Sequence, residues 1–192
     1  MNANRLVALS AVLALSCAKR VETAGSAASV PAAAYCPLAV GNRWVYQANF
    51  LGEKTERTVQ ILKEEDGFFL DNQGGALGVD AIGVRDRKRY LLREPVEPGR
   101  TWSNVVSVSS IERYKILELG PCQVPAGRFE SCVGVESRNR VDDQTTLVNE
   151  MTLAQGVGIV KIEIAAEVRG QRIPQSQMLL TRFELRPMPA AR

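Results

Sequence analysis

The feature of this 192-residue sequence that most constrains its fold is an alternation of apolar and polar residues with a period of two. Three segments show it most clearly: "RWVYQANF" (43–50), "GIVKIEIAAEV" (158–168) and "LLTRFELR" (179–186). Such a period is typical of antiparallel strands with one buried face. The side chains predicted to face inward are Trp44, Tyr46, Ala48, Phe50, Val160, Ile162, Ile164, Val168, Leu179, Phe183 and Leu185.

The breaks between these segments are short and turn-like, for example "LGEK", "EEDG", "NQGG" and "VRGQR". Short breaks favour hairpins, so neighbouring strands in sequence are predicted to be neighbours in space. The segment "SSIERYKILEL" (109–119) also fits a helical stripe, but its surroundings favour a strand. We therefore predict an all-β fold, an antiparallel meander of about ten strands curved into a half-barrel or barrel.

The composition excludes several classes of function. The chain contains no histidine, which excludes Ser-His-Asp and Cys-His catalysis and histidine-ligated metals. Its formal net charge of +3 is too balanced to indicate a nucleic-acid partner. We predict that the protein is not an enzyme, although a site built from lysine or carboxylates would escape this argument.

The N-terminus has the pattern of a signal peptide. Arg5 precedes a mostly apolar run from Leu6 to Leu15, interrupted by Ser10. A membrane-spanning helix needs about 20 apolar residues, so this run suits the core of a signal peptide instead.

The residues before Cys17, namely Ala14, Leu15 and Ser16, resemble the lipobox of bacterial lipoproteins, although leucine is usual where Ala14 stands. The resemblance implies that Cys17 becomes the first mature residue and carries the lipid anchor. It also implies an outer-membrane destination, because Ala18 is not aspartate. An ordinary signal peptide that releases a soluble protein is the alternative.

These features divide the chain into three parts. Residues 1–16 form the predicted lipoprotein signal peptide, and residues 17–34 form a lipid-anchored, flexible linker rich in alanine and serine. Residues 35–192 form a single β domain. The predicted partner is therefore the membrane, reached through the anchor.

Three further stretches carry a family resemblance. "CPLAVGNRWVY" (36–46), "VPAGRFESC" (124–132) and "AQGVGIVK" (154–161) resemble a recurring pattern in uncharacterised bacterial envelope lipoproteins. That family has no assigned activity, and its β-rich domains look similar to the lipoprotein carriers of the LolA and LolB type. The resemblance implies a half-barrel and raises the hypothesis of lipid binding.

Cysteine usage permits one disulfide. Without Cys17, three cysteines remain, and disulfides are allowed outside the inner membrane. Cys122 and Cys132 flank the turn predicted at "PAG" (125–127), so a bridge between them is the first choice. A bridge from Cys36 to either partner is the alternative.

Strand parity places Cys132 on the same polar face as Glu130. Three scattered cysteines without histidine do not match the usual ligands of a zinc site. The absence of a Cys-x-x-Cys motif argues against a redox role. We therefore predict no metal and no cofactor.

The candidates for a ligand-binding face are Trp44, Tyr46 and Trp102, provided that they lie on the concave side of the sheet. The basic cluster "RDRKR" (85–89) is predicted to be a solvated hairpin turn, with lipid head groups as an alternative contact. The leading functional hypothesis is an envelope lipoprotein that binds lipid or another hydrophobic ligand. A protein-interaction or structural module of an outer-membrane assembly is the alternative.

Overall fold

The computed structural model describes residues 29–108 and 110–186. It confirms the all-β prediction, with twelve strands and one short 3₁₀ segment, Ala32–Tyr35. The strands are β1 (Arg43–Phe50), β2 (Glu53–Glu65), β3 (Phe68–Asp71), β4 (Ala76–Asp80), β5 (Gly83–Arg85), β6 (Tyr90–Arg93), β7 (Thr101–Ser107), β8 (Ser110–Val124), β9 (Gly127–Arg140), β10 (Thr145–Ala154), β11 (Gly158–Val168) and β12 (Gln171–Glu184). The ambiguous segment 109–119 lies largely in strand β8.

All twelve strands belong to one antiparallel sheet in the order β6-β5-β4-β3-β2-β1-β12-β11-β10-β9-β8-β7. Each strand pairs with its neighbour in sequence, except that β1 pairs with β12, and β6 and β7 end the sheet. The meander closes almost completely into a barrel. Within the described ranges, no helix is long and apolar enough to cross a bilayer.

The seam between β6 and β7 is joined by side chains. The Asn104 amide accepts from the Tyr90 backbone N–H and donates to the Tyr90 carbonyl, both at 3.1 Å. The Trp102 indole donates to the same carbonyl at 2.8 Å. The buried Asn104 side chain therefore imitates one rung of a β-ladder and supplies the hydrogen bonds that the exposed edge of β6 needs.

The wall of the barrel is uneven in height. Strands β8 to β12 contain 10 to 15 residues, whereas β3 to β6 contain three to five. At about 3.3 Å per residue, the wall is much lower along β3 to β6. We refer to this low wall as the short side.

One end of the barrel is sealed by the 3₁₀ segment. The Ala32 N–H donates to the Glu94 carboxylate at 2.6 Å, and the Gly156 N–H donates to the Ala34 carbonyl at 2.7 Å. Ala32 and Tyr35 are fully buried in the same cluster as Val84, Leu92 and Ile116. The packed domain thus begins before residue 35. Residues 31–34 of the predicted linker lie against it, whereas its first part and Cys17 lie outside the described residues.

A disulfide joins Cys122 and Cys132 across the β8–β9 hairpin, with a Cα–Cα distance of 6.0 Å, and Cys36 has a free thiol. The closed loop spans 10 positions. In the chain-entropy model such a loop contributes roughly 2–3 kcal/mol to stability.

Cys132 is buried, and its predicted place on the polar face is wrong. The β8–β9 register shifts between Ile116 and Leu119 and again between Gly120 and Cys122. Each shift breaks the period of two, so Cys132 and the exposed Glu130 no longer share a face.

A register shift also occurs between β1 and β12. Thr181 is an extra residue of β12 that has no pairing partner on β1, and it forms a β-bulge. Its hydroxyl donates a hydrogen bond to the Val45 carbonyl at 2.9 Å. As a result Leu180 is fully buried, and Met178 packs against the core. Leu179, which is predicted to face inward, is partly buried against the same core, and the bulge brings Leu180 inward as well.

Candidate functional site

A cavity of about 340 Å³ lies inside the barrel and is the candidate functional site. Residues from nine of the twelve strands line it, together with residues 36–38. One row of the sheet contributes its floor, because Met151 pairs with Ile162 and Ile162 pairs with Met178. These three side chains line the cavity and give it an apolar floor.

Two aromatic residues of β1 complete the apolar surface. The Trp44 indole donates to the Val157 carbonyl at 2.7 Å, and the Tyr46 hydroxyl donates to the Ile159 carbonyl at 2.8 Å. Both rings therefore satisfy their polar atoms on the β10–β11 turn and β11 and present apolar surface to the cavity. Burial raises the pKa of the Tyr46 phenol, and the charge of Asp71 adds to the effect.

The next row of the sheet is polar. Tyr114 pairs with Ser137, and Ser137 pairs with Asn149. The side chains of Tyr114 and Asn149 line the cavity. The site therefore changes from apolar to polar over one row.

Charged residues meet where the β5–β6 turn approaches β8. Arg89 contacts Asp86 at 2.7 Å and Glu112 at 3.3 Å, and Tyr114 donates its hydroxyl proton to Glu112 at 2.7 Å. Burial disfavours the charge of Arg89, but the bond and charge of Asp86 outweigh it and raise the pKa of the guanidinium. Asp86 and Arg89 line the cavity, as does Asp71 at the end of β3.

The predicted solvated turn at 85–89 is therefore only partly correct. The Asp86 carboxylate accepts the backbone N–H groups of Lys88 and Arg89, both at 2.7 Å, which fixes the turn as expected for a hairpin. The same turn also brings two charged side chains to the cavity. Nothing in the period of the sequence shows that this turn and β8 approach each other.

The structure separates the three predicted ligand-face residues. Trp44 and Tyr46 line the cavity. Trp102 lies at the seam, stacked on Tyr114 with ring centroids 5.3 Å apart, and it is not part of the lining. Within the described ranges, no group of three or more histidine, cysteine, aspartate or glutamate residues is placed to hold a metal ion.

The free thiol of Cys36 lies in the cavity wall and is buried. Burial raises the pKa of this thiol from an ordinary value of 9.0 to about 12. A thiol that stays protonated is a poor nucleophile, so the native protein is expected to resist alkylation at Cys36.

Stability is expected to fall at alkaline pH. The thiol of Cys36 and the phenol of Tyr46 both have raised pKa values in the folded state, so the unfolded chain loses these protons first. The free energy of unfolding should therefore decline above about pH 9, by up to about 1.4 kcal/mol per pH unit for each group. Urea unfolding from pH 7 to pH 10 tests this, and Cys36→Ala should show a shallower decline. An unchanged slope in that variant would contradict the role of the thiol.

Comparison with known proteins gives only distant likenesses. No family model matches the chain, and no curated protein is similar to it. One solved structure, described as a "putative exported protein with YmcC-like fold" from Bacteroides fragilis, is 13% identical with a TM-score of 0.44. Another, described as a "putative lipoprotein" from Parabacteroides distasonis, is 12% identical with a TM-score of 0.42. Each likeness covers 78% of this chain and 98% of the other, and at this distance neither assigns a family or a ligand.

Proposed function

We propose that the protein is a non-enzymatic binding protein of the bacterial envelope, which holds a small lipid or another hydrophobic molecule in the barrel. The observation that carries this proposal is the cavity itself. Its volume of about 340 Å³ lies within the usual range for ligand sites, roughly 300–1,000 Å³. Its lining is mostly apolar with a few polar groups at one side, which is the usual make-up of a small-molecule site.

The closed end of the barrel supports the same function. Because the 3₁₀ segment Ala32–Tyr35 fills this end, a ligand would enter elsewhere, and the short side at β3–β6 offers the lower wall. The apolar floor at Met151 and Ile162 would then hold the apolar part of the ligand. The polar residues at Asp71 and Arg89 would face its polar end.

The proposed location rests on the N-terminal sequence. The pattern that ends at Cys17 supports a lipid-anchored protein, and the residues between Cys17 and the packed domain would serve as its tether. An outer-membrane location is the finer form of this proposal, supported by the identity of Ala18.

The alternative is a protein-interaction module that pairs through exposed strand edges. The seam weighs against this at one point, because Asn104 already occupies the backbone N–H and carbonyl of Tyr90 on β6. Pairing there would require these bonds to break.

The direct test is binding of a neutral, environment-sensitive acyl probe to the full chain carrying Cys17→Ser, which cannot be acylated. We expect saturable binding. Ile162→Phe should weaken it about threefold, or roughly 0.7 kcal/mol, because the longer, flat ring projects from the floor into space that the ligand would occupy.

The matched control is Ile173→Phe, which makes the same change on β12 at a side chain that is 41% exposed. This variant should bind the probe as the parent does. Absence of saturable binding, or equal binding by the Ile162→Phe variant, would contradict the proposal and favour the protein-interaction alternative.

A further inference from the structure

The polar atoms that the cavity leaves open are hydrogen-bond acceptors. The Asn149 Oδ1 atom is buried and has no hydrogen-bond partner among the described residues. Asn149 lines the cavity. A buried polar atom without a partner costs about 1–3 kcal/mol, so a ligand that donates a hydrogen bond to it would recover that energy.

Asp71 supplies a second acceptor. Its Oδ1 atom accepts the backbone N–H groups of Gln73 at 2.7 Å and Gly75 at 2.8 Å, which fixes the β3–β4 turn. Within the described residues, no hydrogen bond uses its Oδ2 atom. The Oδ1 atom of this carboxylate therefore stabilises the turn, and the Oδ2 atom remains able to accept a hydrogen bond from a ligand in the cavity.

The single cation in the lining is already neutralised. Arg89 donates from Nε to Asp86 at 2.8 Å and also contacts Glu112. Arg85 and Arg87 lie over the ring of Phe68 and do not belong to the lining.

The charge balance of the cavity lining is therefore negative. Two carboxylates of the lining, Asp71 and Asp86, stand against one guanidinium, Arg89, which also contacts Glu112 outside the lining. An anionic head group placed there would meet carboxylates without a free cation to pair with, and it would lose its hydration. A cationic head group would pair with these carboxylates instead, and this would compensate for its lost hydration.

We propose that the cavity selects amphiphiles whose polar end carries a positive charge and donates hydrogen bonds, such as a primary amine, over anionic amphiphiles with the same tail. This inference rests on the proposed function and specifies the class of ligand. The Asp71 carboxylate and the Asn149 amide oxygen receive the donated hydrogen bonds, and the apolar floor holds the tail. At about 30 Å³ for a group the size of water, the cavity suits an amphiphile of roughly ten non-hydrogen atoms.

The test is competition by decylamine, decanol and decanoate, each below its micelle concentration at pH 7, against the neutral acyl probe on the Cys17→Ser chain. The three compounds share a chain of ten carbons and differ chiefly in the charge and hydrogen-bond donors of the polar end. We expect decylamine to compete at least tenfold more strongly than decanoate, with decanol between them.

A second variant isolates the carboxylate. Asp71→Asn removes the charge but keeps an Oδ1 acceptor for the turn, so the fold should persist. It should weaken decylamine severalfold and leave decanol nearly unchanged. The matched control, Asp143→Asn, alters a side chain that is 96% exposed and should affect neither compound.

The outcomes separate the two proposals. If none of the three compounds competes and the probe does not bind, the proposed function fails. If decanoate competes as well as decylamine or better, or if Asp71→Asn leaves decylamine unchanged, the amine preference is overturned while the cavity remains a binding site.

Discussion

Tyr35→Ala is expected to destabilise the domain by about 3–5 kcal/mol, the cost of truncating a large buried aromatic side chain. Tyr35 is fully buried in the cluster that seals one end of the barrel, and its hydroxyl lies 3.3 Å from that of Ser131. The loss should appear as a lower midpoint in urea unfolding. It would show that residues before the first strand are part of the folded domain.

Tyr35→Phe is the matched control, because it keeps the ring and removes only the hydroxyl. Its cost should be at most about 1 kcal/mol, the usual contribution of one hydrogen bond. If Tyr35→Ala were as stable as the parent, the segment would not seal the barrel.

Gly83→Ala is expected to cost about 3 kcal/mol or more and to loosen the short side. A Cβ atom at this position would lie 2.0 Å from the Leu92 carbonyl oxygen, so the β5 and β6 backbones would have to move apart. The backbone at this residue also has a φ of +150°, a conformation that residues with a side chain rarely adopt. Overpacking costs typically 1–3 kcal/mol and backbone strain a similar amount.

Gly74→Ala separates the two contributions. Gly74 has a φ of +83° but nothing within 4 Å of a Cβ atom, so only strain should appear, about 1 kcal/mol. Thermal unfolding of both variants gives the comparison. Equal losses would show that the close approach of Leu92 does not matter.

The period of two predicts most of the sheet because it reports which face of each strand is buried. It holds along β1 as far as Ala48, because Trp44, Tyr46 and Ala48 are all buried, and it identifies Ile162 as inward-facing. It is wrong for Phe50 at the end of β1, which is 62% exposed. It fails where a bulge adds a residue, as at Thr181 on β12 and between Phe129 and Cys132 on β9. Bulges depend on pairing with another strand, so a single strand's sequence does not reveal them.

The candidate site is predictable only in part for a related reason. Trp44 and Tyr46 share a strand face, which the sequence shows, and both line the cavity. Arg89 and Glu112 are 23 positions apart and meet only when the sheet curls. The 3₁₀ segment Ala32–Tyr35 gives no signal either, because its alanines resemble those of a flexible linker.

The central claim is that the barrel encloses a ligand site, and the two tryptophans of the chain allow a direct test. Trp44 lines the cavity, whereas Trp102 lies at the seam. In a Trp102→Phe background, a brominated decanol should quench Trp44 emission saturably. In a Trp44→Phe background it should quench Trp102 far less. Equal quenching of both, or none of Trp44, would contradict an interior site.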